Sequence, residues 1–502
     1  MAQRFIGTEV EYGISTPEDP TVSPILTSTQ VIIAYASEYG GGEDRRTRWD
    51  YSPESPLRDS RGFDLRRYRS DNAPSLDPNA VGAANVVLNN GARFYVDHAH
   101  PEYSAPEVTD AYQAVVYDKA GERIMHEAAK ISSATEGHPQ LKIYKNNVDG
   151  KGASYGTHEN YLFRRDTDFD AIISGLIPFF VTRQVFTGSG RVGIGTTGQK
   201  AGFQISQRAD YIETEVSLET TLNRGIINTR DEPHAETDVW RRLHVIIGDA
   251  NLSEYSTFLK LGTTCLVLDA IEAGVDFSDL QLRDPVKDVQ RVSQDLSCTE
   301  KLEHSDFRTL RTAIEIQRIY HQRVTEALGD RFSAVDQQVA DLWMEVLDML
   351  DTDPMSTAHL LDWTAKLKLM EGLRNRAGLG WDHPKLRLID LQYSDIDPNK
   401  GLYNALVARG AIKRLVTEDE VTAAIDEPPA DTRAYFRGMM MAKFAHDIAA
   451  VGWESMILDT DNGLERLVFS DPWAMNRSET EEIIATSANV TQVVDKLKQT
   501  NN

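Results

Sequence analysis

A strict alternation of side chains near the N-terminus constrains the fold of this chain more than any other feature. Over residues 4–15, the even positions from Ile6 to Ile14 carry apolar, aromatic or threonine side chains, and the odd positions 7–13 carry glycines and the glutamates Glu9 and Glu11. Successive side chains of a β-strand point to opposite faces, so this segment predicts a strand with both carboxylates on one face. Like charges so close repel unless a cation or an arginine neutralises them. The pattern indicates a cation site on one face of a sheet, or a solvated strand edge.

A second alternating segment at residues 90–96 follows turn residues and predicts another strand. Arg93, Tyr95 and Asp97 fall on one face of this strand, over an apolar back. Glu102 lies just past its end and can return to the same cleft. Carboxylate oxygens are the protein ligands that Mg²⁺ prefers. Two strands that both carry carboxylates favour a shared cation site over two polar faces that simply meet water.

Two glycine- or proline-flanked turns add candidate side chains. His158 sits in the segment GTHENY and is either a metal ligand or a histidine that only forms hydrogen bonds. The segment NTRDEPHA places Arg230 and His234 in one turn. Arg230 is suited to clamp a carboxylate or phosphate through two hydrogen bonds. The alternative is an ion pair that only stabilises the loop.

The first half of the chain is rich in predicted strands, and the part after about residue 255 has helical spacing. We interpret residues 430–502 as a small C-terminal domain after a large domain at 1–429. Further strands are predicted at 142–146, 159–163, 211–218, 243–247 and 455–458, an extended segment at 185–206, and helices at 27–39, 122–133, 307–328, 334–350, 357–374, 430–450 and 479–498.

Residues 40–74 differ in kind from their surroundings. They begin with three glycines, contain three prolines and eight arginines, and show little apolar periodicity. Compact domains seldom carry a structureless segment longer than about 15 residues unless it has a function or is disordered. This composition predicts a long, mobile, arginine-rich loop.

Composition excludes several classes of protein. The chain has 53 Lys and Arg against 77 Asp and Glu, a net charge of −24, so its overall field repels nucleic acid and anionic lipid. No apolar run reaches the roughly 20 residues that a membrane-spanning helix needs, so no membrane association is expected. The N-terminus lacks the apolar core of a signal peptide, and only two cysteines are present; both observations predict a cytoplasmic protein.

Together these motifs resemble the Pup ligase/depupylase family, which belongs to the glutamine synthetase-like carboxylate–amine ligase superfamily. The segments GTEVEYG, NGARFYVDHAHPEY, GTHENY and NTRDEPHA occur here in that order. The resemblance implies an α+β fold, in which a large domain with a curved antiparallel sheet flanked by helices is followed by a small C-terminal domain. The segment DHAHPEY and the 40–74 insertion resemble the depupylase branch, because ligases carry a longer DVGSHPEY-type segment and lack the insertion.

The resemblance also implies the cofactors and roles of single residues. ATP and Mg²⁺ are the expected cofactors, with ATP bound and not consumed once per turnover. Asp97 is the expected catalytic carboxylate. The other expected contacts are Arg93 and Arg230 with phosphates, Trp453 with the nucleotide, and Glu9, Glu11, Tyr95, Glu102, His158 and His234 with metal.

The activity implied by this branch is deamidation of the C-terminal glutamine of Pup and cleavage of Pup from lysine side chains. Pup, pupylated proteins and the proteasomal ATPase ring are the expected partners. Asp97 attacks the amide, or activates water, or acts beside a nucleotide-derived phosphate; the residues do not choose between these routes. The alternatives are a Pup–protein ligase of the same family, a more distant glutamate–cysteine ligase-like enzyme, and a nucleotide-bound adaptor that holds Pup without cutting it.

Overall fold

The computed structural model describes residues 4–39, 48–62 and 81–500 and has the α+β architecture expected from the sequence. In the described residues a six-stranded antiparallel sheet forms the centre, with the strand order β13-β8-β1-β6-β5-β4. The strands are β1 Ile6–Glu11, β2 Gly13–Ser15, β3 Arg48–Trp49, β4 Asn85–Val87, β5 Arg93–Asp97, β6 His100–Ser104, β7 Lys142–Tyr144, β8 Thr157–Arg164, β9 Arg191–Ile194, β10 Lys200–Gln204, β11 Thr214–Ser217, β12 Gly225–Asn228, β13 Trp240–Val245, β14 Leu302–Glu303, β15 Leu310–Arg311, β16 Ile448–Val451, β17 Ser455–Thr460 and β18 Gly463–Val468.

The helices cover the apolar face of this sheet and build most of the chain after residue 254. The main hydrophobic core joins β1, β5 and β8 to the long helices α2, α3 and α4. The helices are α1 Pro24–Tyr39, α2 Ala111–Ala134, α3 Phe169–Thr187, α4 Glu254–Glu272, α5 Pro285–Gln294, α6 Ala313–Leu328, α7 Ala334–Thr352, α8 Asp362–Ala377, α9 Pro384–Tyr393, α10 Leu402–Ala408, α11 Glu418–Ala423, α12 Ala434–Phe444, α13 Arg477–Thr486 and α14 Val490–Thr500.

Strand pairing brings the two predicted acidic strands into one sheet. β1 pairs with β6, so that Glu11 lies opposite Glu102, and β6 pairs with β5, so that Glu102 lies opposite Tyr95. On its other side β1 pairs with β8, and Glu9 lies opposite His158. Side chains directly opposite each other share a face of the sheet. One face therefore carries a continuous polar row across four strands.

The prediction of an extended segment at 185–206 is wrong at its beginning. Helix α3 runs on to Thr187, and the extended strands β9 and β10 begin only at Arg191. The glycines that suggested an extended chain lie after the helix, whereas Val185 and Phe186 are fully buried in the core. A helix that is buried on all sides needs no polar face, so its sequence lacks the periodic change between apolar and polar residues that identifies a helix.

A second hydrophobic core lies under the four-stranded sheet β18-β17-β16-β3. It uses α12, α13 and α14, together with Trp49 and Val87 from the N-terminal part. The predicted helix at 430–450 ends at Phe444, and Ile448 begins strand β16 instead. The predicted helix at 479–498 is two helices, α13 and α14. The domain boundary at residue 429 stays a prediction.

Residues 48–62 correct the prediction that 40–74 is a loop without secondary structure. Strand β3 pairs in parallel with β16 of the C-terminal sheet. Asp50 forms an ion pair with Arg466 at 2.6 Å, and the Asp59 carboxylate accepts a hydrogen bond from the Thr229 hydroxyl at 2.6 Å. This segment therefore joins the C-terminal sheet to the turn that carries Arg230. Residues 40–47 and 63–74 of the predicted loop lie outside the described residues.

Helix α3 alone among the described helices is long and apolar enough to cross a membrane, and 78% of that stretch is buried within the fold. The helix is not one unbroken apolar run, since Ser174, Gly175 and Pro178 interrupt it, and the absence of membrane association stays a prediction. Length and composition do not distinguish a membrane helix from the central helix of a core.

Candidate active site

The polar face of the six-stranded sheet forms the floor of a cleft of about 480 Å³. Residues from the central sheet, from the segment 48–62, from the turn 228–234 and from the C-terminal part line it. Of the ten candidate residues, all but Glu11 line this cleft directly: Glu9, Arg93, Tyr95, Asp97, Glu102, His158, Arg230, His234 and Trp453. The structure therefore brings together residues that are separated by up to about 440 positions in the chain.

One group of possible metal ligands consists of Glu9, His158 and His244. One ligand atom from each lies within 4.8 Å of the others. His158 Nδ1 donates to Glu9 Oε2 at 3.0 Å, and Asn160 Nδ2 donates to the other Glu9 oxygen at 3.0 Å. The His158 and His244 rings meet edge to face with centroids 4.8 Å apart. The group offers one carboxylate and two imidazoles to a cation.

The second group consists of Glu11, Asp97 and Glu102, whose oxygens lie within 4.8 Å of one another. Glu11 and Glu102 are buried, whereas the side chain of Asp97 retains 36% of its exposure at the mouth of the cleft. Tyr95 donates its hydroxyl hydrogen to Glu102 at 2.6 Å. An all-oxygen donor set of this kind suits Mg²⁺. The exposed position leaves Asp97 accessible to a substrate that enters the cleft.

The charge states of the carboxylates differ across the site. Burial, together with the charges of Asp97, Glu9 and Glu11, raises the pKa of Glu102 well above its usual range. Burial alone would also raise the pKa of Glu9, but the hydrogen bond from His158 and the charge of Arg242 hold it well below its usual range. A divalent cation bound beside Glu102 would oppose both causes, since its charge favours the ionised form of a neighbouring carboxyl group. The donor chemistry therefore fits a bound cation.

Two arginines in the cleft, Arg93 and Arg230, fit an anion. Arg93 donates from Nε to Asn85 at 2.7 Å and from Nη2 to the Tyr51 hydroxyl at 3.1 Å. The Nε of Arg230 is buried and has no hydrogen-bond partner among the described residues. Burial, with the charge of nearby Arg242, lowers the pKa of Arg230. An unpartnered guanidinium group in a cleft is suited to bind a phosphate or carboxylate.

The loop-stabilising ion pair that was the alternative role of Arg230 is formed by the residue next to it. Asp231 forms the ion pair of this turn, because both of its oxygens accept from Arg165 at 2.8 and 2.9 Å. Among the described residues, Arg230 has no ion-pair partner within 4 Å, and its backbone forms a bridge with Asp59. The guanidinium of Arg230 is thus available to the cleft.

Two further predicted residues, Trp453 and His234, line the cleft and also the recess that adjoins it. Trp453 lies between β16 and β17, and its ring meets that of Trp49 edge to face at 5.2 Å. It also lines an adjoining apolar recess of about 80 Å³. The ring of His234 lies 4.0 Å from Glu232, and burial lowers the pKa of His234 to about 4. His234 is therefore neutral at neutral pH, and it belongs to neither of the two groups of possible metal ligands.

The sequence analysis missed His244 and Arg242. Both lie on β13, which the sequence analysis predicted as a short apolar strand at 243–247. Starting the strand at Trp240, as the structure does, puts Arg242 and His244 two residues apart on one face. The alternation of these two polar residues with Leu243 and Val245 is the signal that identifies them.

The fold and the cleft define an α+β protein in which one sheet face carries carboxylates and histidines for a cation beside arginines for an anion. A model of the Pup-ligase protein family matches residues 4–457 of the chain, which belongs to this family. The family prediction is thereby confirmed.

A relative and two solved structures specify the similarity. The chain is 57% identical, over 497 residues and 99% of both chains, to the Pup deamidase/depupylase of Mycolicibacterium smegmatis. Its structure resembles that of the ligase PafA in complex with Pup, with a TM-score of 0.79, 30% identity and coverage of 99% of this chain and 95% of that one. It also resembles PafA in complex with ADP, with a TM-score of 0.73, 36% identity and coverage of 80% and 89%. The predicted α+β fold is confirmed.

Proposed function

We propose that this protein is an ATP- and Mg²⁺-dependent hydrolase that deamidates the C-terminal glutamine of Pup and cleaves the isopeptide bond between Pup and lysine. The relative from M. smegmatis, at 57% identity over nearly the full length, supports the activity. The Pup and ADP complexes of the similar ligase support Pup as substrate and a nucleotide as cofactor.

The observation that carries the proposal is the position of Asp97. It shares one cluster with the buried Glu11 and Glu102, yet its own carboxylate reaches the mouth of the cleft. A carboxylate placed there can meet an amide carbon brought in by an extended peptide end. An adaptor that only binds Pup has no need of a carboxylate in this position.

Cleavage of a side-chain amide requires a nucleophile, a polarised carbonyl group and a proton for the leaving amine. In one route Asp97 attacks the carbonyl carbon, the amine leaves, and water then hydrolyses the resulting anhydride to release glutamate and restore Asp97. In a second route Asp97 takes a proton from a water molecule that attacks the carbonyl carbon. The third alternative, which the residues do not distinguish from these two, would involve a nucleotide-derived phosphate. In each route the C–N bond breaks and the amine leaves with an added proton. The amine is ammonia when the substrate is the terminal glutamine, and a lysine amine when it is a conjugate.

The residues that would hold the nucleotide and metal follow from the cleft. We assign the phosphates to Arg93 and Arg230, and the base to the apolar recess beside Trp453. We assign the cation sites to two sets, which are Glu9 with His158 and His244, and Glu11 with Glu102 and Tyr95, while His234 is kept as a further candidate. A bound Mg²⁺ supplies Lewis acidity and orients phosphate oxygens.

A single pair of incubations tests the proposal against the ligase alternative. Purified protein with ATP and Mg²⁺ is mixed either with a Pup-conjugated protein or with glutamate-ended Pup and an unmodified target. We expect free target from the first mixture and no conjugate from the second. Conjugate formation with stoichiometric ADP would instead identify a ligase, and tight Pup binding without either product would identify an adaptor.

We also propose that the enzyme works in the cytoplasm. Both cysteines, Cys265 and Cys298, are buried free thiols, which fits a reducing compartment. Association with the proteasomal ATPase ring stays a prediction, as does the absence of nucleic-acid and membrane binding, for which the net charge of −24 is the supporting observation.

A further inference from the structure

The hairpin that carries Asp97 has an unusual residue at its turn. Strands β5 and β6 pair up to Asp97 and His100, so that only His98 and Ala99 connect them. His98 has a backbone φ of +51°, in the left-handed region. The carbonyl oxygen of Ala99 accepts a hydrogen bond from Ser28 of α1 at 2.9 Å, which fixes the tip of the turn.

A side chain at this position costs stability. Left-handed backbone is unfavourable for residues with a Cβ, and glycine is the usual residue in such a two-residue turn. Backbone strain of this kind clusters at functional sites, where the surrounding structure maintains it. The turn therefore holds a histidine where glycine would satisfy the backbone better.

The contact that His98 makes points to the reason. Its Nδ1 lies 3.0 Å from Oδ2 of Asp97, while its ring stays 69% exposed at the cleft mouth. Among the described residues no other side chain forms a hydrogen bond or ion pair with Asp97. Only Oδ2 of Asp97 is engaged in this contact, and Oδ1 has no ion-pair or hydrogen-bond partner among the described residues.

We propose that His98 is a positioning residue for Asp97: the ion-pair contact of its imidazole with Oδ2 fixes the carboxylate rotamer and leaves Oδ1 for the scissile amide. This inference rests on the proposed function, since it assigns a task to the His98–Asp97 contact only if Asp97 performs the cleavage. The left-handed backbone at His98 brings its ring against Asp97, the residue before it in the chain. Misplacement of a reacting group by about 1 Å can cost a hundredfold in rate.

Substitutions at this turn separate positioning from a structural role. H98G removes the contact with Asp97 but relieves the backbone strain, and H98A removes the same contact and keeps the strain. H98N keeps a residue type that tolerates this backbone and offers an amide N–H as a shorter donor. F307G is the matched control, because Phe307 also has a positive φ of 59° and is exposed, in the connection between β14 and β15 outside the cleft.

The measurements are the kcat and KM for release of Pup from a conjugate, with Tm recorded for each variant. We expect H98G to lower kcat by about tenfold or more with KM within about twofold, although its Tm is unchanged or raised by about one degree. H98A should lose activity to the same extent with no gain in Tm, and H98N should regain part of kcat. F307G should keep the wild-type kcat.

Two results distinguish the ways in which this reasoning can fail. If H98G releases Pup at the wild-type kcat while D97N is inactive, the proposed function stands and the positioning role of His98 is wrong. If wild-type protein releases no Pup under the same conditions, the proposed function itself fails. An equal loss of kcat in H98G and H98A, partly regained in H98N and with unchanged Tm, identifies the lost side-chain contact and not the turn backbone as the cause, because glycine relaxes this backbone and alanine does not.

Discussion

The guanidinium carbon of Arg93 lies 4.1 Å from the ring centroid of Trp49, a residue 44 positions earlier that pairs with the C-terminal sheet. The Tyr95 ring lies on Arg93 at 3.8 Å. Cation–π contacts of this kind are worth about 0.5–2 kcal/mol, depending on desolvation. The arginine that we assign to nucleotide phosphates therefore contacts both Tyr95 of its own strand, β5, and Trp49 of β3, which lies outside the central sheet.

Substitution of Trp49 should weaken nucleotide binding. W49L removes the aromatic face over Arg93 and the edge contact with Trp453, and we expect a loss of ATP or ADP affinity of about tenfold, corresponding to about 1.4 kcal/mol. Isothermal titration calorimetry measures it. The control is W381L, because Trp381 also lies over an arginine, Arg374 at 4.2 Å, but does not line the cleft. Equal affinity losses in both variants would show that Trp49 acts only through general stability.

This arrangement also shows where prediction from the sequence reached its limit. The alternation in β1 and β5 predicted which side chains share a face, because strand periodicity is a local property. The predicted candidates on those strands lie together on the polar face of the sheet. Their roles stay predictions, since neither the structure nor the similar proteins assign them.

What the sequence could not supply was pairing between distant segments. His244 joins Glu9 and His158 only because β13 pairs with β8 in a register that places it opposite Asn160. Trp49 reaches Arg93 only because β3 pairs with β16, some 400 residues later. Such pairings depend on tertiary packing, and local composition made residues 48–62 resemble a loop.

Asp97→Asn should abolish cleavage and leave the fold intact. The amide is nearly isosteric with the carboxylate, but it is neither a nucleophile nor a base, so we expect kcat for Pup release to fall by about a thousandfold or more. Thermal unfolding and calorimetry with ATP should stay close to wild type. D166N is the matched control, because Asp166 is highly exposed and lies outside the cleft. Near-normal cleavage by D97N would remove Asp97 from the catalytic role.

Glu9→Ala should weaken nucleotide binding only when Mg²⁺ is present. Glu9 lies between His158 and Asn160 at hydrogen-bond distance, and its loss removes the sole carboxylate of that cation group. We expect the ratio of affinities with and without Mg²⁺ to fall by about tenfold, measured by calorimetry with excess metal or EDTA. E215A, an exposed glutamate outside the cleft, should leave the ratio unchanged. An unchanged ratio in E9A would place the cation elsewhere.

Glu107 should make stability fall at acid pH. Its carboxylate binds Arg433, the residue before α12, and Arg437 within α12, and so joins the segment after β6 to the C-terminal part. Burial opposes ionisation, but the two arginines lower the pKa of Glu107 to about 2. A lowered pKa in the folded state stabilises the fold above the unfolded pKa of about 4.3, and this contribution is lost as pH falls from about 4.3 to 2.

The difference between those two pKa values corresponds to about 3 kcal/mol, so the Tm advantage of wild type over E107Q should be large at pH 6 and shrink steadily below pH 4.5. The glutamine keeps the shape of the side chain and leaves both arginines without a counter-charge at every pH, which is why its own Tm should depend less on pH in this range. Calorimetric scans from pH 6 to 2.5 measure the difference. E136Q, an exposed glutamate in the loop after α2, provides the control and should follow wild type throughout. A constant Tm difference across this range would mean that Glu107 is not ionised between its two arginines.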